Sequence, residues 1–120
     1  MKINNIALIG MPGAGKSTLG VVLAKILGYE FLDSDLLIQK EEKRRLYQII
    51  DEEGEEGFKA IENRVNASIE TESTVIATGG SVVYCSEAME HLKSIGKVVY
   101  LRLSLETLEK RLGNLKQRGV

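Results

Sequence analysis

The stretch GMPGAGKST, residues 10–18, decides the fold of this chain. It follows the apolar run NIALIG at residues 5–10, which predicts a buried strand, and it precedes apolar residues at helical spacing that end at Gly28. Its pattern is G-x-x-x-x-G-K-[ST], in which glycines let backbone amides surround phosphate oxygens and the helix N-terminus favours negative charge. The stretch therefore predicts a phosphate-binding loop between a strand and a helix.

The residues of this loop are the first candidates for a functional site. We expect six of them to contact a nucleotide: Gly13, Ala14, Gly15, Lys16, Ser17 and Thr18. Lys16 is also a candidate catalytic residue, because its charge would reach the β and γ phosphates, and Ser17 offers a hydroxyl to Mg²⁺. An ordinary glycine-rich turn is the alternative.

The rest of the chain alternates between strand and helix patterns. Strands are predicted at 29–33, 74–80 and 97–103, and helices at 19–27, 36–54, 89–96 and 105–113, with a further helical stripe at Phe58, Ile61, Val65 and Ile69. This alternation is typical of βαβ units. We therefore predict an α/β fold whose mostly parallel sheet of four strands carries helices on both faces.

The composition of the chain limits the classes of binding partner and the cellular compartment that we expect. The 120 residues are 43% hydrophobic, which suits one domain, and the 16 basic and 17 acidic residues are mixed along the chain, unlike a nucleic-acid or membrane binder. Cys85 is the single cysteine, which fits a reducing compartment and a small core residue. The apolar run near the N-terminus is too short for a secretion signal or a membrane span. We expect a soluble, cytoplasmic protein with a small-molecule partner.

Two further strand ends carry candidate site residues. DSD follows the second strand, and if residues 31–35 stay extended, Asp33 and Asp35 share one face at the carboxyl end of the sheet. Such carboxylates can hold a substrate hydroxyl, accept its proton or order water around Mg²⁺; the alternative is that Asp35 only caps the next helix. TGGS ends the third strand without a Walker-B aspartate. Gly79 and Gly80 there suggest backbone close to a ligand, or a plain turn.

Together these motifs resemble the shikimate kinases, small P-loop kinases of the nucleoside-monophosphate-kinase type. The resemblance covers nearly the whole chain: the loop at 10–18, LGYEFLDSD at 27–35, GEEGFKAIE at 54–62, IATGG at 76–80 and VVYLRL at 98–103. It implies a P-loop kinase fold and transfer of the γ-phosphate of ATP, with Mg²⁺, to a ring hydroxyl of shikimate in aromatic amino-acid biosynthesis.

The resemblance also implies roles for individual residues. Asp33 would belong to the catalytic magnesium and nucleophile neighbourhood, Asp35 would bind substrate hydroxyls, and Gly79 and Gly80 would line the same pocket. Lys59 stands where the family usually has the arginine that grips the substrate carboxylate, and it lacks the planar fork of that arginine. Glu62, three positions later, is expected to orient Lys59.

Other positions depart from the family pattern. Ser81 replaces the third glycine and could crowd or rewire the pocket wall. Arg111 resembles the residue that flanks the adenine and Arg118 the lid arginine that approaches the transferring phosphate, although Gly119 follows it instead of proline. A solvated helix end and a frayed basic tail are the alternatives for these arginines. His91 is expected to be a surface helix residue.

The end of the sequence shapes the last expectation. We interpret residues 1–120 as a single P-loop kinase domain that stops within or just after its lid, at about 111–120, so that strand 97–103 becomes an apolar edge. Self-association or marginal stability is expected, with ATP bound better than any acceptor is phosphorylated. Two other functions stay open: a related kinase for a sugar acid or a nucleotide, and a non-catalytic nucleotide-binding remnant.

Overall fold

The computed structural model of the protein describes residues 4–10 and 15–101. Four strands and four α-helices alternate along this part of the chain in the order β1 (Asn5–Gly10), α1 (Lys16–Leu27), β2 (Glu30–Asp33), α2 (Ser34–Glu42), α3 (Leu46–Ala67), β3 (Thr74–Ala77), a one-turn 3₁₀ helix (Val82–Tyr84), α4 (Ser86–Ile95) and β4 (Gly96–Leu101). The predicted helix at 105–113 and the last two residues of predicted strand 97–103 lie outside the described residues.

The four strands form one parallel sheet in the order β2-β3-β1-β4. β1 pairs with β3 and with β4, and β2 pairs with β3. The prediction of a parallel α/β sheet is therefore confirmed. Because all strands run the same way, the carboxyl ends of β1, β2 and β3 meet at one edge, which is where open α/β sheets place ligands.

Alternate residues of β1 enter the two layers of the core, as side chains of a strand must. Leu8 packs with Ala24 of α1 and Val75 of β3 on one face. Ala7 and Ile9 pack on the other face against the apolar side of α4. Helices therefore cover both faces, as predicted, and the sheet is buried as an all-parallel sheet requires.

Four sequence-based expectations about element boundaries were wrong. The predicted helix 36–54 is two helices: α2 ends at Glu42, Lys43 takes a left-handed conformation (φ 55°), and α3 begins at Leu46. Strand β3 ends at Ala77, three residues earlier than predicted, and Ile69 lies beyond the end of α3. Residues 31–35 do not stay extended, because α2 begins at Ser34.

The apolar stripe predicted on α1 is only partly in the core. Ala24 is buried and Leu23 packs beside it, whereas Ile26 is 70% exposed and Leu27 is also exposed. Gly20 lies where the helix meets the sheet, and a Cβ there would come within 2.6 Å of the Phe31 ring. Close helix-to-strand contact at Gly20 thus replaces part of the expected stripe. No helix within residues 4–10 and 15–101 is long and apolar enough to cross a membrane.

Candidate active site

The site is built at the start of α1, directly after β1. Gly15 precedes the helix in a left-handed conformation (φ 84°), which a residue with a Cβ would rarely adopt, and Lys16 is the first helical residue. Lys16 is only 8% exposed, and its Nζ donates a hydrogen bond to the Gly10 carbonyl oxygen at 2.8 Å. The lysine side chain therefore reaches back to the last residue of β1. Ser17 and Thr18 follow on the exposed side of the helix.

The charge of Lys16 is set by two opposing effects. Burial lowers the pKa of its ammonium group, and the nearby carboxyl groups of Asp35 and Glu62 act in the other direction. These acids come from α2 and α3, so three separate elements bring charged groups to the same place. A cation held in such a desolvated position interacts strongly with phosphate oxygens.

Asp33 joins the end of β2 to the start of α1. Its Oδ2 accepts a hydrogen bond from the Ser17 hydroxyl at 3.2 Å, and its Oδ1 accepts from the backbone N–H groups of Asp35 (2.9 Å) and Leu36 (3.4 Å). Asp33 is therefore the N-cap of α2. The sequence-based alternative that gave the capping role to Asp35 was wrong, since Asp35 lies in the first turn of the helix.

Asp35 is half-buried beside this cap. Burial raises the pKa of its carboxyl group, the neighbouring charge of Asp33 raises it further, and Lys16 lowers it. The expectation that Asp33 and Asp35 lie near each other agrees with this interaction, although the helix start and not an extended strand produces it.

Gly79 marks the point where Asp35 and Glu62 converge. A Cβ at this position would lie 2.5 Å from Glu62 Oε2 and 2.9 Å from Asp35 Oδ1, so no larger residue fits without moving a carboxyl group. The φ angle of Gly79 is not positive, so a left-handed backbone conformation is not the reason for the glycine. The bare backbone is needed for close approach. Gly80 follows, half-buried, in the connection to the 3₁₀ helix.

Glu62 is the most buried acid of the site, at 1% exposure. Its Oε1 accepts a hydrogen bond from the Ser81 hydroxyl at 2.7 Å, and the Cys85 sulfur lies 3.9 Å away. Burial raises the pKa of the Glu62 carboxyl group, and the charge of Asp35 adds to the effect. Ser81 therefore makes a hydrogen bond that a glycine at this position could not make.

Lys59 has a different partner from the one expected. Its Nζ lies 5.3 Å from the centre of the Tyr84 ring, a cation–π distance, while the hydrogen bond to Glu62 comes from Ser81. Glu62 still influences Lys59 through charge. The sequence missed Tyr84 because nothing in its local pattern separates it from an ordinary exposed tyrosine.

Cys85 and His91 are both structural. Cys85 is buried, as predicted, and burial together with Glu62 raises the pKa of its thiol to about 11. His91 is not a simple surface residue, because its Nε2 lies 2.6 Å from the Ile69 carbonyl oxygen and ties α4 to the segment after α3. Thr78, at the place of a Walker-B acid, uses its hydroxyl to donate to the Leu8 carbonyl oxygen at 2.8 Å.

Four candidate residues cannot be placed. Gly13, Ala14, Arg111 and Arg118 lie outside the described residues. Within the described part, the structure brings together Lys16, Ser17, Asp33, Asp35 and Gly79, with Lys59 on the neighbouring face of α3.

A depression outside the candidate site is lined by basic and amide side chains. It is an open depression of about 550 Å³ at the junction of α2 and α3, lined by Gln39, Lys40, Lys43, Arg44, Arg45 and Gln48. Arg44 is held there by Glu42 at 2.7 Å and Glu52 at 2.8 Å. The depression shares no residue with the cluster around Lys16, and Arg44 already has acidic partners.

The chain was compared with known families and structures. A family model described as "Shikimate kinase" matches residues 12–120. The chain belongs to the shikimate kinase family. Shikimate kinase 2 of Yersinia pseudotuberculosis serotype O:3 (strain YPIII) is 40% identical over 107 residues, which are 89% of this chain and 62% of that protein. Shikimate kinase 2 of Serratia proteamaculans (strain 568) is 38% identical over 112 residues, 93% of this chain and 64% of that protein.

Solved shikimate kinases share the fold. The enzyme from Acinetobacter baumannii, in complex with shikimate, matches with a TM-score of 0.78 and 41% identity over 87% of this chain and 59% of that one. The enzyme from Aquifex aeolicus matches with a TM-score of 0.75 and 36% identity, over 86% and 62%. The predicted P-loop kinase fold is confirmed. The chain spans about 62% of the length of the curated shikimate kinases it matches.

Proposed function

We propose that this protein transfers the γ-phosphate of ATP to a hydroxyl group of shikimate. The observation that carries the proposal is the Ser17–Asp33 hydrogen bond of 3.2 Å, which links the phosphate-binding helix to the acidic end of β2 beside Lys16 and Asp35. Membership of the shikimate kinase family supports the acceptor, as does the Acinetobacter baumannii relative, whose structure contains shikimate.

The reaction is an in-line displacement at phosphorus. The acceptor hydroxyl oxygen attacks the γ-phosphorus of ATP, the bond to the bridging oxygen breaks, ADP leaves, and the hydroxyl proton goes to a nearby base or to water. Lys16 binds the β and γ phosphates in this scheme. Asp33 is the carboxylate nearest the Ser17 end of the site and Asp35 accepts hydrogen bonds from the acceptor hydroxyls. Arg118 is proposed to approach the transferring phosphate, and Arg111 to flank the adenine.

Mg²⁺ is part of the proposal. The Ser17 hydroxyl and the Asp33 carboxylate are oxygen ligands of the hard type that Mg²⁺ prefers, and their 3.2 Å separation suits two groups that meet one ion or its water. Within residues 4–10 and 15–101 no three acidic, histidine or cysteine side chains form a metal site. This agrees with an ion held by one or two protein ligands together with phosphates and water. Bound Mg²⁺ would neutralise phosphate charge.

Lys59 supplies the positive charge for the carboxylate of the acceptor. It is half-buried on α3, and its charge acts on Glu62, whose carboxyl group lies against Gly79. Gly79 and Gly80 are proposed to line the same pocket. A lysine offers a point charge where the family usually has a planar fork. A related kinase for a sugar acid or a nucleotide is therefore a second candidate, and the Lys59 and Ser81 positions favour testing it.

An assay of ADP release, with an acceptor panel, tests the proposal. ATP and Mg²⁺ are supplied with shikimate, with gluconate, with a nucleoside monophosphate, or with no acceptor. Shikimate-dependent release supports the proposed reaction, and release that depends on another acceptor supports the second candidate. Release that is absent throughout, with ATP still bound, contradicts both and indicates a nucleotide-binding remnant.

Lys16→Ala is the matched negative variant for this assay. It should weaken ATP binding at least tenfold and remove phosphate transfer, because the charge at the phosphates is lost. The fold should remain, since removing a cation from a desolvated position does not open the core. Lys25→Ala, at the exposed end of the same helix, is the control. Calorimetry with ATP and circular dichroism measure both effects. Unchanged affinity in Lys16→Ala would contradict the assignment of the loop.

We also propose a cellular location and a mode of assembly. A cytoplasmic location fits the single buried Cys85 thiol. Self-association through residues 97–103 fits the exposure of Val99 and Tyr100 on β4, which pairs only with β1 among the described strands. Sedimentation over a wide concentration range measures the second property, and a monomer at every concentration contradicts it.

A further inference from the structure

Lys59 makes an aromatic contact with Tyr84. Its ammonium nitrogen lies 5.3 Å from the centre of the Tyr84 ring. Attraction between a cation and an aromatic face is effective within about 6 Å of the ring centre. The lysine at the acceptor side of the site is therefore held from the 3₁₀ helix that follows Gly79 and Gly80.

The carboxylate that would otherwise hold Lys59 is engaged elsewhere. Glu62 lies three positions along the same helix, but its Oε1 accepts the 2.7 Å hydrogen bond from Ser81. The ion pairs of the described residues join Arg44 and Arg64 to glutamates and do not include Lys59. Among the described residues, the contact shown for the Lys59 ammonium group is the Tyr84 ring, and Glu62 acts on Lys59 only through charge.

The position of Tyr84 is well defined although its side chain is 74% exposed. Its backbone N–H donates to the Ser81 carbonyl oxygen at 3.0 Å, and that of Cys85 donates to the Val82 carbonyl oxygen at 2.9 Å. Cys85 is buried immediately after it. A ring that adds little to the core and stands on an anchored turn is suited to hold another side chain.

We propose that Tyr84 is a positioning residue that holds the Lys59 ammonium group at the acceptor pocket and thereby sets the affinity for an acidic acceptor. The inference rests on the proposed function, and it adds a residue which that function does not need. A lysine side chain has many rotamers, and fixing it before the acceptor binds lowers the entropy lost on binding. The ring replaces, in part, the preorganisation that an arginine fork would supply.

Three single variants test the role of the ring. Tyr84→Leu should raise the KM for shikimate about three- to fivefold, the range expected for an exposed cation–π contact, while kcat and the KM for ATP stay within twofold. Tyr84→Phe keeps the ring and should behave like the wild type. Tyr47→Leu removes another exposed tyrosine, 62% exposed on α3, and is the matched control. An unchanged KM in Tyr84→Leu overturns the proposal.

A double variant separates action through Lys59 from direct contact with the acceptor. In a Lys59→Met background, Tyr84→Leu should raise the KM by less than about 1.5-fold further, because the two residues act as one unit. An equal further loss in that background would mean that Tyr84 touches the acceptor itself, and it would overturn the positioning role.

A measurement without any acceptor distinguishes this inference from the proposed function. In NMR spectra of protein with ¹³C-labelled lysine, the ε-protons of Lys59 should be shifted upfield by the ring, and the shift should vanish in Tyr84→Leu but persist in Tyr84→Phe. No such shift in the wild type overturns the contact. A shift that behaves as expected in a protein without shikimate-dependent turnover would support the contact and contradict the choice of shikimate.

Discussion

At the scale of single residues, Asp33 has two roles at once. One of its carboxylate oxygens caps α2 and the other accepts the Ser17 hydroxyl at 3.2 Å. The capping bonds fix the carboxylate, so the oxygen that faces Ser17 is held in place before any ligand arrives. Preorganised charge of this kind is what phosphate transfer requires.

The two aspartates should fail in different ways when they are neutralised. Asp33→Asn should lower kcat at least tenfold with a smaller change in ATP affinity, whereas Asp35→Asn should chiefly raise the KM for the acceptor. Asp51→Asn, an exposed acid on α3, should leave all constants unchanged. Steady-state kinetics with both substrates varied measure these effects. If neither Asp33→Asn nor Asp35→Asn changed the kinetic constants, only the capping role of Asp33 would remain.

The raised pKa of Glu62 predicts a pH effect on stability. The folded protein holds this proton more tightly than the unfolded chain, so the stabilisation is complete below the ordinary glutamate pKa of about 4.5 and is lost as pH rises through the higher folded value. Glu62→Gln carries no titrating carboxyl group at this position, so it does not lose this stabilisation as pH rises. The free energy of unfolding of Glu62→Gln, minus that of the wild type, should therefore increase as pH rises from 4 through the folded pKa of Glu62. Urea titrations at several pH values check it, and a constant difference contradicts the raised pKa.

Only the residues of the site that belong to a local motif could be predicted from the sequence. The loop motif carries its own spacing rule, so Lys16 and Ser17 could be assigned from letters alone. The ring contact of Lys59 and the Ser81–Glu62 hydrogen bond could not, because they join α3 to a segment about twenty residues away. Contacts of that kind depend on how the elements pack, and no local sequence pattern predicts them.

At the scale of elements, the break between α2 and α3 explains why the long predicted helix was wrong. Lys43 adopts a left-handed conformation although it is not a glycine. The Gln48 side chain accepts from the Arg45 backbone N–H at 2.9 Å, and Gln39 accepts from that of Leu46 at 3.0 Å. Two glutamine side chains therefore satisfy backbone N–H groups at the turn between the helices. The break folds α2 against α3 around Ile38, Ile49 and Val65.

The Asn5 side chain, at the start of β1, hydrogen-bonds to the backbone of two other parts of the fold. Asn5 was not singled out from the sequence. Its Nδ2 donates to the carbonyl oxygens of Thr71 (2.8 Å) and Ile95 (2.9 Å), and its Oδ1 accepts from the backbone N–H of Thr74 at 3.1 Å. The side chain is buried, so each of these backbone groups depends on it. Asn5 thereby connects β1 with β3 and with the end of α4.

Loss of this side chain should weaken the whole sheet. Asn5→Ala should lower the free energy of unfolding by about 2 to 3 kcal/mol, because buried backbone groups lose their partners. Asn4→Ala, next to it and exposed, should change the value by less than about 0.5 kcal/mol. Chemical denaturation of both variants measures the difference. Equal stabilities would mean that water replaces the amide without cost.

At the scale of the whole molecule, strand order positions the candidate site. The order β2-β3-β1-β4 places the carboxyl end of β3, which Gly79 follows, between the carboxyl ends of β2 and β1. The alternation of strands and helices predicted the parallel sheet and its two covered faces, because periodicity reports burial. It could not give this order, since pairing between strands far apart in sequence depends on long-range packing.

Identification of the phosphorylated product is the measurement that tests the account most directly. The protein is incubated with ATP, Mg²⁺ and shikimate, and the mixture is analysed by mass spectrometry beside a sample with Lys16→Ala. If the protein transfers phosphate from ATP to shikimate, the product is shikimate carrying one phosphate group. It should form in equal amount with ADP and be absent from the Lys16→Ala sample. Bound ATP with no phosphorylated shikimate, or ADP formed equally without shikimate, would contradict it.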